Sequence, residues 1–337
     1  MPLILQVDAG RWRDHLKSYV GEHAGIVPVA KGNGYGFGTS VLTSEAAALG
    51  VPTLAVGTYD ELPAAQAFPG ETLVLSPWRP GTPADAGRVI HTVSRLSDLR
   101  DLAALHEQPD VVVEVLTSMR RHGIAAGEVA EATAVLKSVR FRGWALHLPL
   151  TGDRLGEARR LAESLLAAAP GPLWVSHLDP ADATTLAGEL SADVHLRVGT
   201  ALWLGARSAI RAKATVLDVH EVRRGETFGY RQRRAPRDGH LVVVAGGTAH
   251  GIALEAPTPA ASVRQRAVAV AKGGLEASGR AMSPFHIGGK QRWFAEPPHM
   301  QCSMIWLPAG VPMPAVGDEL DVDVRFTTTT FDQIRWT

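Results

Sequence analysis

Three features of this sequence point to an α/β chain: a (β/α)8 barrel of TIM type followed by a C-terminal, mostly β domain. Eight short β-rich runs alternate with Ala- and Leu-rich helical stretches as far as about residue 205, the order that a closed barrel needs. After Gly205 helical periodicity fades, and strand-like runs separated by Gly, Pro and Arg take over. With 337 residues, 45% of them hydrophobic, the chain can bury one large core and a smaller one. An open doubly wound sheet fits the first feature equally well, because periodicity does not report closure. No fixed-period self-similarity suggests a solenoid.

The eight runs are GIVPVAK from Gly25, VPTLAVGT from Val51, ETLVLSPW from Glu71, RVIHTVS from Arg88, DVVVEVLTS from Asp110, RGWALHL from Arg142, PLWVSHL from Pro172 and ADVHLRVG from Ala192. Helical patterns such as TSEAAALG, DELPAAQAF, LSDLRDLAALHE, EVAEATAVLKS and DRLGEARRLAESLLAAA lie between them. The expected division is therefore 1–205 for the barrel and 206–337 for the β domain. Its strands are expected at AIRAKATVLDVHEV, HLVVVAGG, RQRAVAVAK, QCSMIWLP and DELDVDVRF, and its exposed loops at 231–240 and 255–263.

Charge and cysteine content narrow the function. Lys and Arg total 34 and so do Asp and Glu, which removes any electrostatic case for nucleic acid or an anionic membrane. A neutral chain points to a small-molecule ligand or a protein partner. Cys302 is the single cysteine, so no intrachain disulfide can form, as suits a reducing cytoplasm. The start, MPLILQVDAGRWRDH, has no basic region, long apolar core or cleavage signal, and no later run reaches membrane-spanning length. A soluble cytoplasmic protein is expected.

The chemistry is concentrated in VPVAKGNGYGFG, Val27 to Gly38. If the apolar run is a buried strand, Lys31 stands at its C-terminal end, where such barrels collect their functional groups. Glycines at 32, 34, 36 and 38 let the backbone turn sharply and approach a ligand. Burial lowers a lysine's pKa toward neutrality and frees its lone pair to capture an electrophile. On spacing alone, a solvated lysine at a strand end reads as well.

This stretch closely resembles the cofactor-lysine motif of the alanine racemase family, usually VVKANAYGHG. The resemblance implies pyridoxal 5'-phosphate as cofactor, with Lys31 forming the Schiff base and Tyr35 binding the phosphate. LTSMRRHGI, Leu116 to Ile124, resembles the family's DTGMGRLGI, which places Arg121 beside the cofactor's phenolic oxygen and the substrate carboxylate. By itself the Arg120–Arg121 pair reads as a solvated basic pair. His147 in GWALHLPL matches the histidine of GLMTHFA, which packs by the pyridine ring and joins the network around the neighbouring arginine. His177, in VSHLD, aligns with a second family histidine and is read as structural.

LRVGTALWLG, Leu196 to Gly205, resembles the family's VRPGIALYG. Here Arg197 would face the pyridine nitrogen. An arginine does not surrender its proton, so that nitrogen stays unprotonated, and a short-lived carbanion favours reprotonation over transamination. The backbone amides of Gly199 and Thr200 would cup the phosphate. Val198 for proline and Trp203 for tyrosine remove no donor.

Other departures matter more. After His177 the family usually has asparagine and serine where this chain has Pro180 and Ala181, so phosphate binding is either weaker or assisted by Ser176 or Thr184. AGGTAHG, Ala245 to Gly251, matches the segment carrying the racemases' second catalytic group, a tyrosine, and puts Thr248 in its place. Threonine is a poor base near neutral pH, whereas His250, two residues on, has a suitable pKa. His250 is therefore the candidate partner of Lys31, and a plain loop histidine is the competing reading. EPPHMQCSMIWL resembles GRVSMDQ, with the Met300 amide toward the substrate carboxylate and Gln301 for an aspartate.

The resemblance implies an amino-acid racemase that inverts L- and D-forms through Lys31, alanine being the default substrate, and a homodimer sharing its active sites. No metal is called for. The lost tyrosine keeps two alternatives open: a one-base pyridoxal phosphate enzyme such as a lyase or decarboxylase, and a catalytically silent cofactor-binding scaffold.

Overall fold

A computed structural model describes residues 2–82, 88–105, 108–254 and 281–337. The chain forms two compact units, Arg13–Ala206 and Met1–Trp12 with Arg207–Thr337.

The larger unit is the barrel, and all eight expected runs form its staves. After β1 (Leu3–Val7), which belongs to the other unit, come β2 (Ile26–Ala30), β3 (Thr53–Val56), β4 (Glu71–Val74), β5 (Val89–Val93), β6 (Asp110–Val115), β7 (Arg140–His147), β8 (Leu173–Ser176) and β9 (Val194–Val198). Neighbours pair in parallel around a closed ring, and β2 closes it on β9 with Ile26 opposite Leu196 and Val27 opposite Arg197. Closure excludes the open sheet. Seven of the eight staves, β2 to β8, give apolar side chains to one interior cluster: Val27 and Val29, Ala55, Leu73, Ile90, Val112, Ala145 and Trp174. His195 of β9 joins it by stacking on Trp174 at 4.2 Å. The end where the staves begin is laced by ion pairs, Arg142 to Glu71 at 2.5 Å and to Asp110 at 3.1 Å. That end is therefore built for stability, which leaves the opposite end for chemistry.

The second unit is antiparallel apart from one pair, and its strands are β10 (Ile210–Val222), β11 (Thr227–Phe228), β12 (Arg233–Arg234), β13 (Gly239–Ala245), β14 (Met282–Ile287), β15 (Lys290–Phe294), β16 (Cys302–Pro308), β17 (Glu319–Val322) and β18 (Gln333–Trp336). A bulge between Val216 and Asp218 bends β10, so its first half pairs with β17 and β1 and its second half with β13. The core gathers Leu3, Val216, Val244, Phe285, Ile305 and Leu307 among others. β1 lies antiparallel to β10 and parallel to β18, which is why the first twelve residues, expected with the barrel, group with the β unit. The main cut falls between Ala206 and Arg207, one residue past the expected one. Segment 231–240 is mostly exposed but contains β12 and the start of β13. The expected loop at 255–263 and strand RQRAVAVAK lie outside the described residues. Among the described residues no helix is long and apolar enough to cross a membrane.

Candidate active site

Strand alternation fixes which side chains reach the open end of the barrel. Two residues beyond the interior cluster, on the same face of five of the eight staves, stand Lys31 after Val29, Glu114 after Val112, His147 after Ala145, Ser176 after Trp174 and Arg197 after His195. One ring of polar groups thus caps one apolar core.

Lys31 follows β2 directly, and its aliphatic stem passes Gly57 of the next stave, where a Cβ would lie 3.0 Å from the Lys31 Cβ. Glu61 ties the two turns together: its carboxylate accepts the Gly32 N–H at 2.7 Å and the Gly57 N–H at 2.6 Å. Solvent still reaches the Lys31 side chain at the barrel mouth. Surrounding protein, then Arg121 and Arg197, push the ammonium pKa below its ordinary value, and Glu61 acts against them. The amine is thereby moved toward its nucleophilic form.

The glycine-rich turn brings Tyr35 back onto the end of β9. Gly34 has φ +59°, and a Cβ there would sit 2.6 Å from the Thr39 nitrogen, so only glycine fits. Tyr35 itself is left-handed at φ 54° and buried. Its hydroxyl lies against Gly199, where a Cβ would come within 1.9 Å of it. Burial, then Glu61, raises the Tyr35 pKa to about 12, so the phenol keeps its proton and acts as a donor. Gly199 leads straight into the short helix Thr200–Leu204.

Arg197 is buried, and its Nη2 donates to the Leu146 carbonyl at 3.0 Å while its Nε has no partner among the described residues. Burial pulls its pKa to about 10, Glu114 working in the opposite sense, so it remains cationic at neutral pH. His147 shares Nδ1 with the Ser176 hydroxyl at 2.9 Å and meets the His177 ring edge-on at 4.8 Å. Burial, then Arg197 and Arg121, lower the His147 pKa to about 3. His177 donates from Nδ1 to the Leu148 carbonyl at 2.6 Å. Arg121 is in the loop after β6, with its Nη2 3.9 Å from the Glu114 carboxylate. The expected barrel residues Lys31, Tyr35, Arg121, His147, Arg197, Gly199 and Thr200 thus all lie at or just beyond the C-terminal ends of the staves.

A sequence profile described as "Alanine racemase, N-terminal domain" matches residues 11–207. The chain belongs to the alanine racemase family. It is 29% identical over 274 residues to the alanine racemase of Mycolicibacterium vanbaalenii, covering 71% of this chain and 70% of that one. It is also 29% identical over 272 residues to the alanine racemase of Mycobacterium tuberculosis, covering 70% of each. Among solved structures, alanine racemase from Bartonella henselae with covalently bound pyridoxal phosphate superposes with a TM-score of 0.72 at 16% identity, over 96% of this chain and 91% of that one. The biosynthetic alanine racemase from Pseudomonas aeruginosa gives 0.71 at 18% identity, over 100% and 99%. These likenesses in structure carry the fold.

The structure also places the residues at which the sequence was expected to depart from the alanine racemase pattern. Thr184 bonds to His23 Nδ1 at 3.1 Å, and His23 Nε2 donates to the Val194 carbonyl at 2.7 Å, so Thr184 lies where the staves begin, away from Lys31. Ser176 is at the correct end but shares its hydroxyl with His147. In the β unit, Thr248 and Ala249 are exposed, while the turn carries His250 inward. There Nδ1 accepts the Gly247 N–H at 3.2 Å, which leaves Nε2 to donate to Asp332 at 3.1 Å. The Thr248 N–H donates to the His299 carbonyl at 2.8 Å and Ala249 to that of Met300 at 3.0 Å, so the turn and the Met300 segment are zipped together. Sequence reasoning missed three acids and a histidine. Glu114 was visible as a charge inside the apolar run VVVEV; Glu61 acts across two turns and left no signal. His299, held by buried Glu296 at 2.7 Å, was legible only as an i, i+3 pair.

Proposed function

We propose that the protein is a pyridoxal 5'-phosphate-dependent amino-acid racemase, with alanine as the default substrate. The observation that carries this reading is a lysine amine, its pKa lowered, at the mouth of a closed barrel beside a buried arginine whose Nε lacks an acceptor among the described residues. The residues present fit the cofactor. The Arg197 Nε would offer a donor to the pyridine nitrogen, and the Tyr35 hydroxyl, which lies against Gly199, would join the Gly199 and Thr200 amides in holding the phosphate.

Bound pyridoxal phosphate would supply the aldehyde that takes the substrate amine and the ring that withdraws electrons from Cα. The chain does the rest. Lys31 Nζ would hold the cofactor and, with its amine free, would take the α-proton of the substrate from one face. Arg197, a cation at neutral pH that does not give its proton away, would face the ring nitrogen and leave it unprotonated. Arg121 receives the substrate carboxylate in a charge-assisted pair. His147 stays neutral and packs beside the ring. A homodimer, in which the β unit completes the partner's site with the Met300 amide, is part of the same reading and rests on the family resemblance.

Inversion needs a second proton donor on the other face. Thr248 is a poor one, and the His250 ring as folded has no free lone pair, both nitrogens being committed. His299 differs: Nε2 is held by Glu296 while Nδ1 meets the Cys302 thiol at 3.9 Å, a weak partner. Geometry therefore favours His299 over His250 for this role, and its carbonyl is bonded to Thr248 itself.

The test is α-proton exchange in heavy water on the cofactor-loaded protein with L- and D-alanine, reading deuteration and chirality together. The wild type is expected to exchange both hands with inversion. His299→Asn is expected to lose inversion while His250→Ala keeps it; the reverse pattern returns the role to His250. Exchange with retention in the wild type would instead favour one-base chemistry, and no exchange a silent scaffold.

A further inference from the structure

Glu61 makes contacts that its local element does not call for. It ends the short helix Tyr59–Glu61 as the third residue after Thr58, a place from which a glutamate ordinarily returns to the N–H of the capping residue. Here that bond is the longest the carboxylate makes. Oε2 accepts the Thr58 N–H at 3.4 Å but the Gly57 N–H at 2.6 Å, and Oε1 accepts the Gly32 N–H at 2.7 Å. Gly32 is 29 residues away in sequence and directly follows Lys31. A helix cap needs neither of the two short bonds.

The contacts close around the lysine. A Cβ on Gly57 would lie 3.0 Å from the Lys31 Cβ and 3.0 Å from the Glu61 Oε2, so the lysine stem, the end of β3 and the carboxylate share one narrow space. The Lys31 carbonyl is held as well, since it accepts the Gly34 N–H at 3.0 Å. The backbone that carries Lys31 is thus tied to the next stave through one side chain. Charge acts alongside this span. The groups around the Lys31 amine are Arg121 from the loop after β6, Arg197 from β9, the His147 and His177 rings from β7 and β8, and Glu61. Tyr35, in the lysine's own turn, is in the field of Glu61 and keeps its proton. Of the charges that act on the amine, the two arginines favour its neutral form and Glu61 its ammonium form. Removing the Glu61 charge therefore lets the amine lose its proton at lower pH.

We propose that Glu61 is the positioning residue for Lys31: its two oxygens span the turns after β2 and β3 and fix where the amine stands, and its charge governs when that amine is free to capture an aldehyde. That the aldehyde is pyridoxal phosphate rests on the racemase reading given above. Span and charge separate in two variants. Glu61→Gln removes the charge and one of the two acceptors, whereas Glu61→Asp keeps the charge on an arm too short to reach both turns.

The test mixes the full-length protein, freed of cofactor, with pyridoxal phosphate from about pH 6 to about pH 10 and follows capture by the visible spectrum. A second readout needs no cofactor: acetylation of Lys31 by trace acetic anhydride over the same range, read by peptide mass. Thermal midpoints are taken alongside. E61Q is expected to move the midpoint of both pH profiles downward. E61D is expected to keep the wild-type midpoint while capture on the high-pH plateau slows by roughly tenfold or more, the scale of a displaced reacting group. Either variant carries the test if the other does not fold. An unchanged midpoint in E61Q, or an E61D plateau equal to that of the wild type, would overturn the proposal. A lower thermal midpoint with neither change would leave Glu61 a helix cap alone. If the wild type captures no pyridoxal phosphate while the acetylation midpoint still moves in E61Q, the racemase reading falls and the hold of Glu61 on Lys31 stands.

Discussion

At the residue scale, His147 shows how the site controls protonation. Its pKa is about 3 in the folded chain against an ordinary 6.5, because burial and the neighbouring Arg197 and Arg121 all oppose a second proton. Between those two values the unfolded chain binds a proton that the folded chain refuses. Stability therefore rises with pH across that window, is fully present above 6.5, and is lost as pH falls toward 3. His177 and His195, both lowered chiefly by burial, act in the same sense. Replacing His147 with Gln should make the urea midpoint fall less steeply on going from about pH 7 to about pH 5 than it does in the wild type; identical slopes would contradict the assignment. A neutral His147 also fits its proposed place beside an uncharged ring. The positions of Lys31, His147 and Arg197 were legible because a strand alternates its faces and the motifs named the strand ends. The inward turn of His250 was not legible, because one left-handed residue, Gly251 at φ +83°, and a single carboxylate, Asp332, decide where its ring goes.

At the scale of elements, the barrel staves and the strand β1 differ in how they announce themselves. The staves are short runs, most of them apolar, and among the described residues all but β4 are followed by a helix before the next stave, so the local pattern and the next stave are both near in sequence. β1 reads LILQV, an equally apolar run, yet its partners lie at Ile210–Ala214 and Gln333–Trp336, and no local pattern reveals a pairing across that distance. Leu3 is fully buried in the β-unit core, and its N–H donates to Asp332 at 2.8 Å, the carboxylate that also holds His250. Leu3→Ala should destabilise the β unit by about 2–5 kcal/mol, the usual cost of a buried leucine cavity, measured by chemical denaturation. A loss below about 1 kcal/mol would mean that β1 merely leans on the sheet.

At the scale of the molecule, the barrel is polarised along its axis. Arg142, Glu71 and Asp110 knit the end where the staves begin, and Lys31, Arg197, His147 and Glu114 ring the end where they finish. Membership of the alanine racemase family accounts for that layout. Since the account turns on Lys31 capturing pyridoxal phosphate, the most direct measurement is borohydride reduction of the cofactor-treated protein followed by peptide mass mapping. The account expects a pyridoxyl phosphate adduct on the peptide carrying Lys31 and none there in Lys31→Ala. Label on a different lysine, or no label at all, would contradict it.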